Sequence, residues 1–232
     1  MKNLVIIPTY NEKDNIEPLI QAIQEQQPQI HILVVDDGSP DGTGAIVKSI
    51  GEADEKVHLL ENPGKGGLGK AYLQGFAWGL ENGFDSCVQM DADFSHRPVD
   101  LNKLVEALKE NDFVIGSRYV EGGATSNWAW YRKLISQFGS LYSKMILGYP
   151  VNDWTGGFNG WNRRVLEKIQ LNDVRSEGYS FQIEMKYRGL KSGHQVKEVP
   201  IVFDERREGA SKMSLKIVIE AFYRVWQIRF LV

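Results

Sequence analysis

The first half of the chain alternates short apolar runs with longer segments of helical spacing. The apolar runs predict five buried strands, at Leu4–Ile7, Ile30–Val35, Val57–Leu60, Ser86–Met90 and Phe113–Gly116. Between them, apolar residues three or four positions apart predict four helices, at Glu12–Gln26, from Asp41 through Lys48, at Gly66–Leu80 and at Leu101–Leu108. Repeated β-α units of this length predict an α/β fold, with a mostly parallel, Rossmann-like sheet flanked by helices.

The second half is richer in aromatic residues and predicts mainly helices. The helical segments are Trp128–Leu147, Tyr179–Leu190 and a last amphipathic helix from about Ser214 to the end. Gln195–Phe203 predicts a strand, and Asp153–Trp161 predicts an irregular stretch or a short strand. We therefore expect one catalytic domain over residues 1–213 and a C-terminal helix at the membrane interface over residues 214–232.

Composition and charge narrow the class of protein. The single cysteine, Cys87, excludes an internal disulfide, which is compatible with a reducing compartment. The N-terminus does not fit a signal peptide, and no stretch approaches the roughly 18–20 apolar residues of a membrane span. Residues 1–116 carry 9 Lys/Arg and 19 Asp/Glu, a net −10, whereas residues 117–232 carry 18 and 11, a net +7. A basic, aromatic second half favours contact with phosphates or an anionic membrane, although a solvated basic face explains the charge as well.

Polar residues follow several of the predicted strands, where ligands bind in parallel sheets. Pro8, Asp37 and Asp91 each lie just past a strand end, so we expect all three to face one crevice. Asp91 and Asp93 repel each other unless a cation lies between them. Their hard oxygen atoms suit Mg²⁺ or Mn²⁺, ions that usually also bind a substrate's phosphates, so the pair predicts a metal–diphosphate site.

The segment Gly64–Lys70 fits G-x-x-x-x-G-K, the phosphate-binding loop of many NTPases. However, Ala71 stands where a Ser or Thr hydroxyl should bind Mg²⁺, and the segment follows the third strand rather than the first. We therefore expect these glycines to let the loop and the next helix pack closely against the sheet. Two other polar segments, Asp36–Thr43 and Asp153–Gly160, fit capped turns as well as binding sites.

Five motifs in order give the chain a resemblance to a known family. They resemble those of the GT-A glycosyltransferases of family 2, at Pro8–Glu12, Val35–Ser39, Gly66–Gly69, Asp91–Asp93 and Gly116–Tyr119. Longer strings resemble the dolichyl-phosphate (polyprenyl-phosphate) mannose synthases, at Asp36–Thr43, Met90–His96, Gly178–Met185 and Glu198–Phe203. The resemblance covers about residues 3–215. It implies a GT-A fold and a metal-dependent, inverting mannosyltransferase that uses GDP-mannose.

The resemblance also implies a role for each matching residue on the donor side. The positions that bind the guanosine of GDP-mannose are Pro8, Tyr10, Glu12, Val35 and Asp37. The metal and diphosphate corner comprises Asp91, Ala92 and Asp93. Ser95 stands where the family often has a glutamine ligand, which makes it the candidate for the third metal ligand. Arg206 and Lys212 match a mobile loop that closes on the donor's phosphates.

Arg118, Arg132 and Ser136 match positions that bind the phosphate of the lipid acceptor, and Arg118 also borders the donor site. A phosphate monoester is already anionic near neutral pH, with a second pKa of about 6, so it needs no general base. We therefore expect Asp91, Asp93 and the two arginines to carry catalysis, with direct attack giving a β-mannosyl phosphate.

The last helix leaves two interpretations open. Lys216 and Arg224 lie on a polar side, whereas Phe222 and Trp226 lie on a wide apolar side that suits either core packing or a membrane interface. A polyprenol acceptor favours the interface, beside Trp128–Leu147. We expect a cytoplasmic protein that is peripheral on the cytoplasmic face of a membrane, alone or with a separate membrane-anchoring subunit, and no nucleic-acid partner.

Two alternatives remain at this level. An enzyme of the same fold that uses UDP-glucose and the same lipid-phosphate acceptor would share the acidic motifs. A non-catalytic, nucleotide-binding interaction subunit would keep the fold alone. The chain keeps the full set of acidic and basic site residues. This argues against the subunit, since a protein without catalytic activity would not require them.

Overall fold

A seven-stranded sheet forms the centre of the computed structural model, which describes residues 1–205 and 215–232. In the order β3-β2-β1-β4-β7-β5-β8, its strands are Val57–Glu61, His31–Asp36, Asn3–Thr9, Ser86–Gln89, Asn159–Asn162, Phe113–Ser117 and Val196–Pro200. Every neighbouring pair is parallel except those of β7, which runs antiparallel to both β4 and β5. The predicted mostly parallel α/β sheet is confirmed.

Helices cover both faces of this sheet and follow the predicted segments closely. They are α1 Lys13–Gln26, α2 Thr43–Ala53, α3 Leu68–Glu81, α4 Pro98–Ala107, α5 Trp130–Leu147, α6 Arg163–Ile169, α7 Gly178–Lys191 and α8 Leu215–Leu231. α2 extends beyond the predicted end at Lys48, and its last turn is capped where the N–H of Asp54 donates to the carbonyl of Ile50 at 2.9 Å. The seven residues of α6 were not predicted, because so short a segment carries too few apolar repeats.

The prediction of a single strand over Gln195–Phe203 is wrong. This segment forms two strands that belong to different sheets. β8 pairs with β5 as far as Pro200, whereas β9, Val202–Phe203, pairs with the two-residue strand β6, Ala124–Thr125. The N–H of Val202 donates instead to the carboxylate of Asp100 at 3.1 Å. The change of partner directs residues 202–205 across the carboxyl edge of the main sheet.

Two glycines of α3 let this helix lie directly on the sheet. A Cβ atom on Gly75 would lie 2.5 Å from Cγ2 of Ile6, and one on Gly79 would lie 2.8 Å from Sγ of Cys87. Gly69, at the start of the helix, would bring a Cβ within 3.1 Å of the ring of Phe181. Close packing therefore explains the glycines of α3 without a phosphate-binding role. A Cβ on Gly64 or Gly67 of the preceding loop would meet nothing within 4 Å, so the expected close packing of those loop glycines is wrong.

The last helix packs against the core on one side and exposes aromatic residues on the other. Val225 and Ile228 are buried in the core, and the carbonyl of Phe222 accepts a hydrogen bond from the Tyr142 hydroxyl of α5 at 3.3 Å. Trp226 and Phe230 are nevertheless 43% and 74% exposed. Within the described part of the chain, no helix is both long enough and apolar enough to cross a bilayer.

Candidate active site

The carboxyl ends of β1, β2, β4 and β5 bring the predicted residues to one edge of the sheet. Asp37 follows β2, Asp91 follows β4 and Arg118 follows β5. Because β7 lies between β4 and β5, Asp91 and Arg118 leave the sheet two strand positions apart. The site therefore has an acidic part at β4 and a basic part at β5.

Asp37 binds the glycine-rich loop that resembles an NTPase motif. Its Oδ2 accepts hydrogen bonds from the backbone N–H groups of Gly66 at 2.9 Å and Gly67 at 3.1 Å. Its Oδ1 accepts one from the side-chain amide of Asn62 at 2.9 Å. An acidic side chain occupies the N–H groups that a phosphate would need, which disfavours the NTPase alternative.

The other predicted nucleotide residues differ in how they can meet a ligand. Tyr10 is 38% exposed, and the Lys65 ammonium lies 4.1 Å from the centre of its ring. Glu12 is half-buried, and its carboxylate accepts a hydrogen bond from Asn15 at 2.9 Å. The side chain of Val35 is fully buried, and Val35 pairs with Pro8 across β2 and β1. Val35 therefore shapes the floor of the crevice and does not present its side chain to a nucleotide.

The two aspartates of the D-x-D string are half-buried, whereas Ala92 between them is buried. The Tyr72 hydroxyl donates a hydrogen bond of 3.1 Å to Oδ1 of Asp91. Burial and the charge of Asp91 raise the pKa of Tyr72 well above its usual value, so this hydroxyl remains a donor. The backbone N–H of Ser95 donates to Oδ1 of Asp93 at 3.0 Å. Both carboxylates are thus oriented by neighbours in the fold.

His96 is a buried residue that holds the backbone of the D-x-D string in place. The sequence did not predict this role. The imidazole is fully buried and stacks on Phe158, with ring centres 4.7 Å apart. Its Nδ1 accepts a hydrogen bond from the backbone N–H of Asp91 at 3.0 Å. Burial lowers the pKa of His96, although the charges of Asp91 and Asp93 oppose the shift, so the ring is neutral and carries its proton on Nε2. Nε2 lies 4.0 Å from Oδ2 of Asp91.

The donor atoms at this corner fit a hard divalent cation. Asp91 and Asp93 supply carboxylate oxygens, and the buried Ser95 hydroxyl has no hydrogen-bond partner among the described residues. No three His, Cys, Asp or Glu side chains of the described residues converge as a metal-binding group. A cation held here would therefore complete its shell with phosphate or water oxygens, as Mg²⁺ usually does.

Arg118 and Ser136, two of the three predicted acceptor residues, meet at a single hydroxyl. Nη2 of Arg118 donates to Oγ1 of Thr155 at 2.8 Å, and Oγ of Ser136 lies 3.2 Å from the same oxygen. Thr155 belongs to the segment between α5 and β7, for which the sequence left a capped turn and a binding site open. We call Arg118, Ser136 and Thr155 the acceptor cluster.

Asp153 is the buried counter-ion of Arg118. Nε and Nη2 of Arg118 donate to Oδ2 and Oδ1 of Asp153, both at 2.7 Å, and the backbone N–H of Arg118 donates at 3.0 Å. Burial alone would raise the pKa of Asp153, but the charge and hydrogen bonds of Arg118 lower it to about 2. Asp153 also accepts the N–H of Gly156 at 2.9 Å, so its turn-capping interpretation is correct.

Arg132, the third predicted acceptor residue, shares an aromatic support with Arg118. The guanidinium carbons of Arg132 and Arg118 lie 4.3 Å and 5.5 Å from the ring centre of Trp128. The carboxylate of Glu205 lies 3.9 Å from Nη1 of Arg132. The structure therefore brings both arginines to one indole ring.

The chain that leads to the predicted closing loop starts at the acidic corner. Asp204 accepts two hydrogen bonds from Arg97, at 2.6 Å and 2.7 Å, and its N–H donates to the carbonyl of Ser95 at 3.0 Å. These hydrogen bonds lower the pKa of Asp204 against the effect of its burial. Arg206 and Lys212 themselves lie outside the described residues.

The chain has the α/β fold of the GT-A glycosyltransferases, with a D-x-D pair following β4. The chain belongs to glycosyl transferase family 2, which residues 4–170 match. It is 48% identical to the polyprenol monophosphomannose synthase of Mycolicibacterium smegmatis, over 98% of this chain and 88% of that protein. It is 46% identical to the undecaprenyl-phosphate mannosyltransferase of Micrococcus luteus, over 97% of this chain and 93% of that protein.

Solved structures share the fold at much lower sequence identity. One is a mannosyltransferase from Pyrobaculum calidifontis, in complex with GDP-Man and Mn²⁺. It is 19% identical, with a TM-score of 0.58, and the match covers 98% of this chain and 72% of that one. This likeness supports the GT-A architecture.

Proposed function

We propose that this glycosyltransferase moves mannose from GDP-mannose to the phosphate of a polyprenyl or dolichyl phosphate. The observation that carries the proposal is the pairing of an acidic corner at β4 with a basic acceptor cluster at β5, with the one strand β7 between them. Two anionic groups, a leaving diphosphate and an attacking phosphate monoester, match these two parts. The names of the two relatives, which are similar to the chain over nearly its whole length, agree with this assignment.

Asp91, Asp93 and Ser95 would hold a divalent cation, Mg²⁺ or Mn²⁺, at the acidic corner. That cation would supply positive charge to neutralise the charge that develops on the leaving GDP. Tyr72 and His96 keep Asp91 oriented through the hydroxyl and imidazole contacts described above. The Mn²⁺ in the Pyrobaculum calidifontis structure is consistent with this use of the fold.

The acceptor cluster orients the nucleophile. A phosphate oxygen of the lipid attacks C1 of mannose, the bond from C1 to the oxygen of GDP breaks, and its electron pair leaves with GDP. No proton is transferred, because the phosphate is already anionic. Arg118, held by Asp153, orients the phosphate, Arg132, on Trp128, supplies positive charge, and Ser136 adds a hydroxyl. Direct displacement inverts the α-linked donor sugar to a β-mannosyl phosphate.

The nucleoside lies at the ends of β1 and β2, against Tyr10 and Glu12. Pro8, Val35 and Asp37 support this pocket: Asp37 acts by fixing the glycine loop, and Lys65 of that loop lies over Tyr10. The predicted closing residues Arg206 and Lys212 follow Asp204, which is tied to the acidic corner through Arg97. The resemblance assigns Arg206 and Lys212 to binding of the donor's phosphates.

The lipid tail leaves the site along α5. The exposed face of this helix is strongly apolar: Trp130, Phe138 and Met145 are 74%, 57% and 71% exposed. A groove of about 420 Å³ beside Tyr119 is lined by Leu134, Phe138 and Leu141. With Trp226 and Phe230 of α8, this face forms a surface suited to the interfacial region of a membrane.

Transfer of labelled sugar tests the proposal. The protein is incubated with Mn²⁺, a polyprenyl phosphate in detergent and either labelled GDP-mannose or labelled UDP-glucose, and the lipid fraction is analysed. We expect β-mannosyl phosphate from GDP-mannose only, with a loss of about 100-fold or more in Asp93→Ala and Arg118→Ala. Transfer from UDP-glucose would favour the alternative donor. Nucleotide binding without transfer from either donor would favour the non-catalytic, nucleotide-binding subunit. An α product would exclude direct displacement.

A further inference from the structure

A fully buried lysine lies beneath the acceptor cluster. The ammonium of Lys186, on α7, donates hydrogen bonds to the carbonyl oxygens of Asp153 at 2.9 Å, Trp154 at 3.1 Å and Gly156 at 2.8 Å. An ammonium has three N–H donors, so these carbonyls use all of them. A buried ammonium is unfavourable unless it is paired in this way. An apolar side chain of similar volume would avoid that cost, but it would leave three buried carbonyls without a donor.

The turn that Lys186 binds also carries the partners of Arg118. Asp153 accepts three hydrogen bonds from Arg118, and Thr155 accepts a fourth. The carboxylate of Glu198 accepts the backbone N–H of Asp153 at 3.0 Å. Lys186 therefore binds the main-chain carbonyls of the turn, while Arg118 binds its side chains.

We propose that Lys186 is a positioning residue that keeps the Asp153–Gly156 turn in the conformation that aims Arg118 at the acceptor's phosphate. This inference rests on the proposed function of the acceptor cluster. Lys186 has no exposed surface, so it acts through the turn and not by touching the acceptor. Without its donors the turn relaxes, and a small displacement of the guanidinium weakens phosphate binding.

The charges around Lys186 make its effect depend on pH. Burial lowers the pKa of Lys186 to about 7, with Asp153 and Glu198 opposing the shift and Arg118 adding to it. Above that pH, the neutral amine has two N–H donors for three carbonyls. We therefore expect the KM for the acceptor to rise severalfold between about pH 7 and pH 9, while the KM for the donor changes little.

The test compares Lys186→Met with Lys186→Gln. Methionine removes all the N–H donors, whereas glutamine has two N–H donors but carries no charge. Lys168→Met, at an exposed position on α6, is the matched control. With a short-chain, soluble polyprenyl phosphate, we expect Lys186→Met to raise the acceptor KM about tenfold and the donor KM less than about twofold. Lys186→Gln should fall between wild type and Lys186→Met. Equal changes in both KM values, or none, would overturn the proposal.

A double-mutant cycle separates positioning from a general structural role. If Lys186 acts through Arg118, Lys186→Met should add little to the acceptor KM of Arg118→Lys. Additive effects would contradict the proposal. If neither Lys186 variant folds by circular dichroism, the wild-type pH profile decides, and a flat acceptor KM between pH 7 and pH 9 would overturn it. A wild type that transfers no mannose to the acceptor would instead refute the proposed function.

Discussion

The guanidinium of Arg118 and the carboxylate of Asp153 form a two-point ion pair that is almost completely closed to solvent, with side-chain exposures of 5% and 0%. The pair has no net charge while both members are present. Removing either one leaves the other charge buried without a counter-ion. Its value for the site is geometric: it fixes the guanidinium plane in one orientation.

Asp153→Asn should therefore destabilise the fold as well as the site. An amide cannot balance the buried charge of Arg118, and we expect the free energy of unfolding to fall by about 3–5 kcal/mol. Urea denaturation followed by circular dichroism at pH 7 measures this change. Glu106→Gln is the matched control, since its pair with Lys109 is exposed and contributes little. A loss no larger than that of the control would contradict the buried-pair interpretation.

Ser95→Ala should weaken the response to Mn²⁺ without loss of stability. The buried hydroxyl has no hydrogen-bond partner among the described residues, so its removal leaves no group of the fold unsatisfied. If it supplies the third metal oxygen, we expect the Mn²⁺ concentration for half-maximal activity to rise by about tenfold. Asp93→Asn should have a larger effect. An unchanged Mn²⁺ response in Ser95→Ala would remove Ser95 from the metal site.

Phe138→Glu should reduce binding to membranes. The side chain is 57% exposed on the apolar face of α5, where a charge would have to enter the interfacial region. Flotation with liposomes of mixed neutral and anionic lipids measures the bound fraction, which we expect to fall severalfold. Val99→Glu, at a position 53% exposed on α4, is the control. Equal losses in both variants would indicate a general charge effect and contradict a specific α5 surface.

His31 and His58, near the amino ends of β2 and β3, should make the free energy of unfolding depend on pH. Nδ1 of His31 lies 3.1 Å from Nε2 of His58, and their rings stack 5.4 Å apart. Burial lowers the pKa of both below 6.5, Lys2 lowers both further, and Asp54 opposes the shifts. The unfolded chain then binds more protons below about pH 6.5, so the free energy of unfolding falls as the pH drops.

His58→Gln should flatten that dependence between pH 7 and pH 5, because one of the two interacting protonation sites is gone. Chemical denaturation at several pH values measures the slope. His194→Gln serves as the control, since His194 faces the carboxylate of Asp112 at 3.7 Å and not another imidazole. The same slope in wild type and His58→Gln would exclude the histidine pair as the source.

Local patterns predicted the parts of the fold that depend on local chemistry. Continuous apolar runs marked β1 to β5, and the spacing of Ile16, Leu19 and Ile23 marked α1, because both signals arise from burial against a single core. β7 gave only a weak signal, since its four residues, Asn159–Asn162, lie in a glycine-rich segment and pair antiparallel between two distant strands. Such long-range pairing is not encoded in local spacing.

The site was predictable to a similar extent. Asp91 and Arg118 follow strand ends, so their places could be expected from the parallel topology. Lys186 and Trp128 could not, because a buried lysine and an aromatic support depend on which segments meet across the fold. The sequence also did not predict the partner of Asp37. This aspartate was predicted to bind the nucleoside, and in the structure it binds the backbone of the glycine-rich loop.

The antiparallel strand β7 has a consequence for how the two parts of the site are spaced. Neighbouring strands lie about 4.8 Å apart, so the insertion of one strand separates the ends of β4 and β5 by about 10 Å. That gap gives the acidic corner and the acceptor cluster separate places on the edge of the sheet. In the proposed displacement the two phosphates must reach the same carbon from opposite sides, and β7 would keep their binding groups apart.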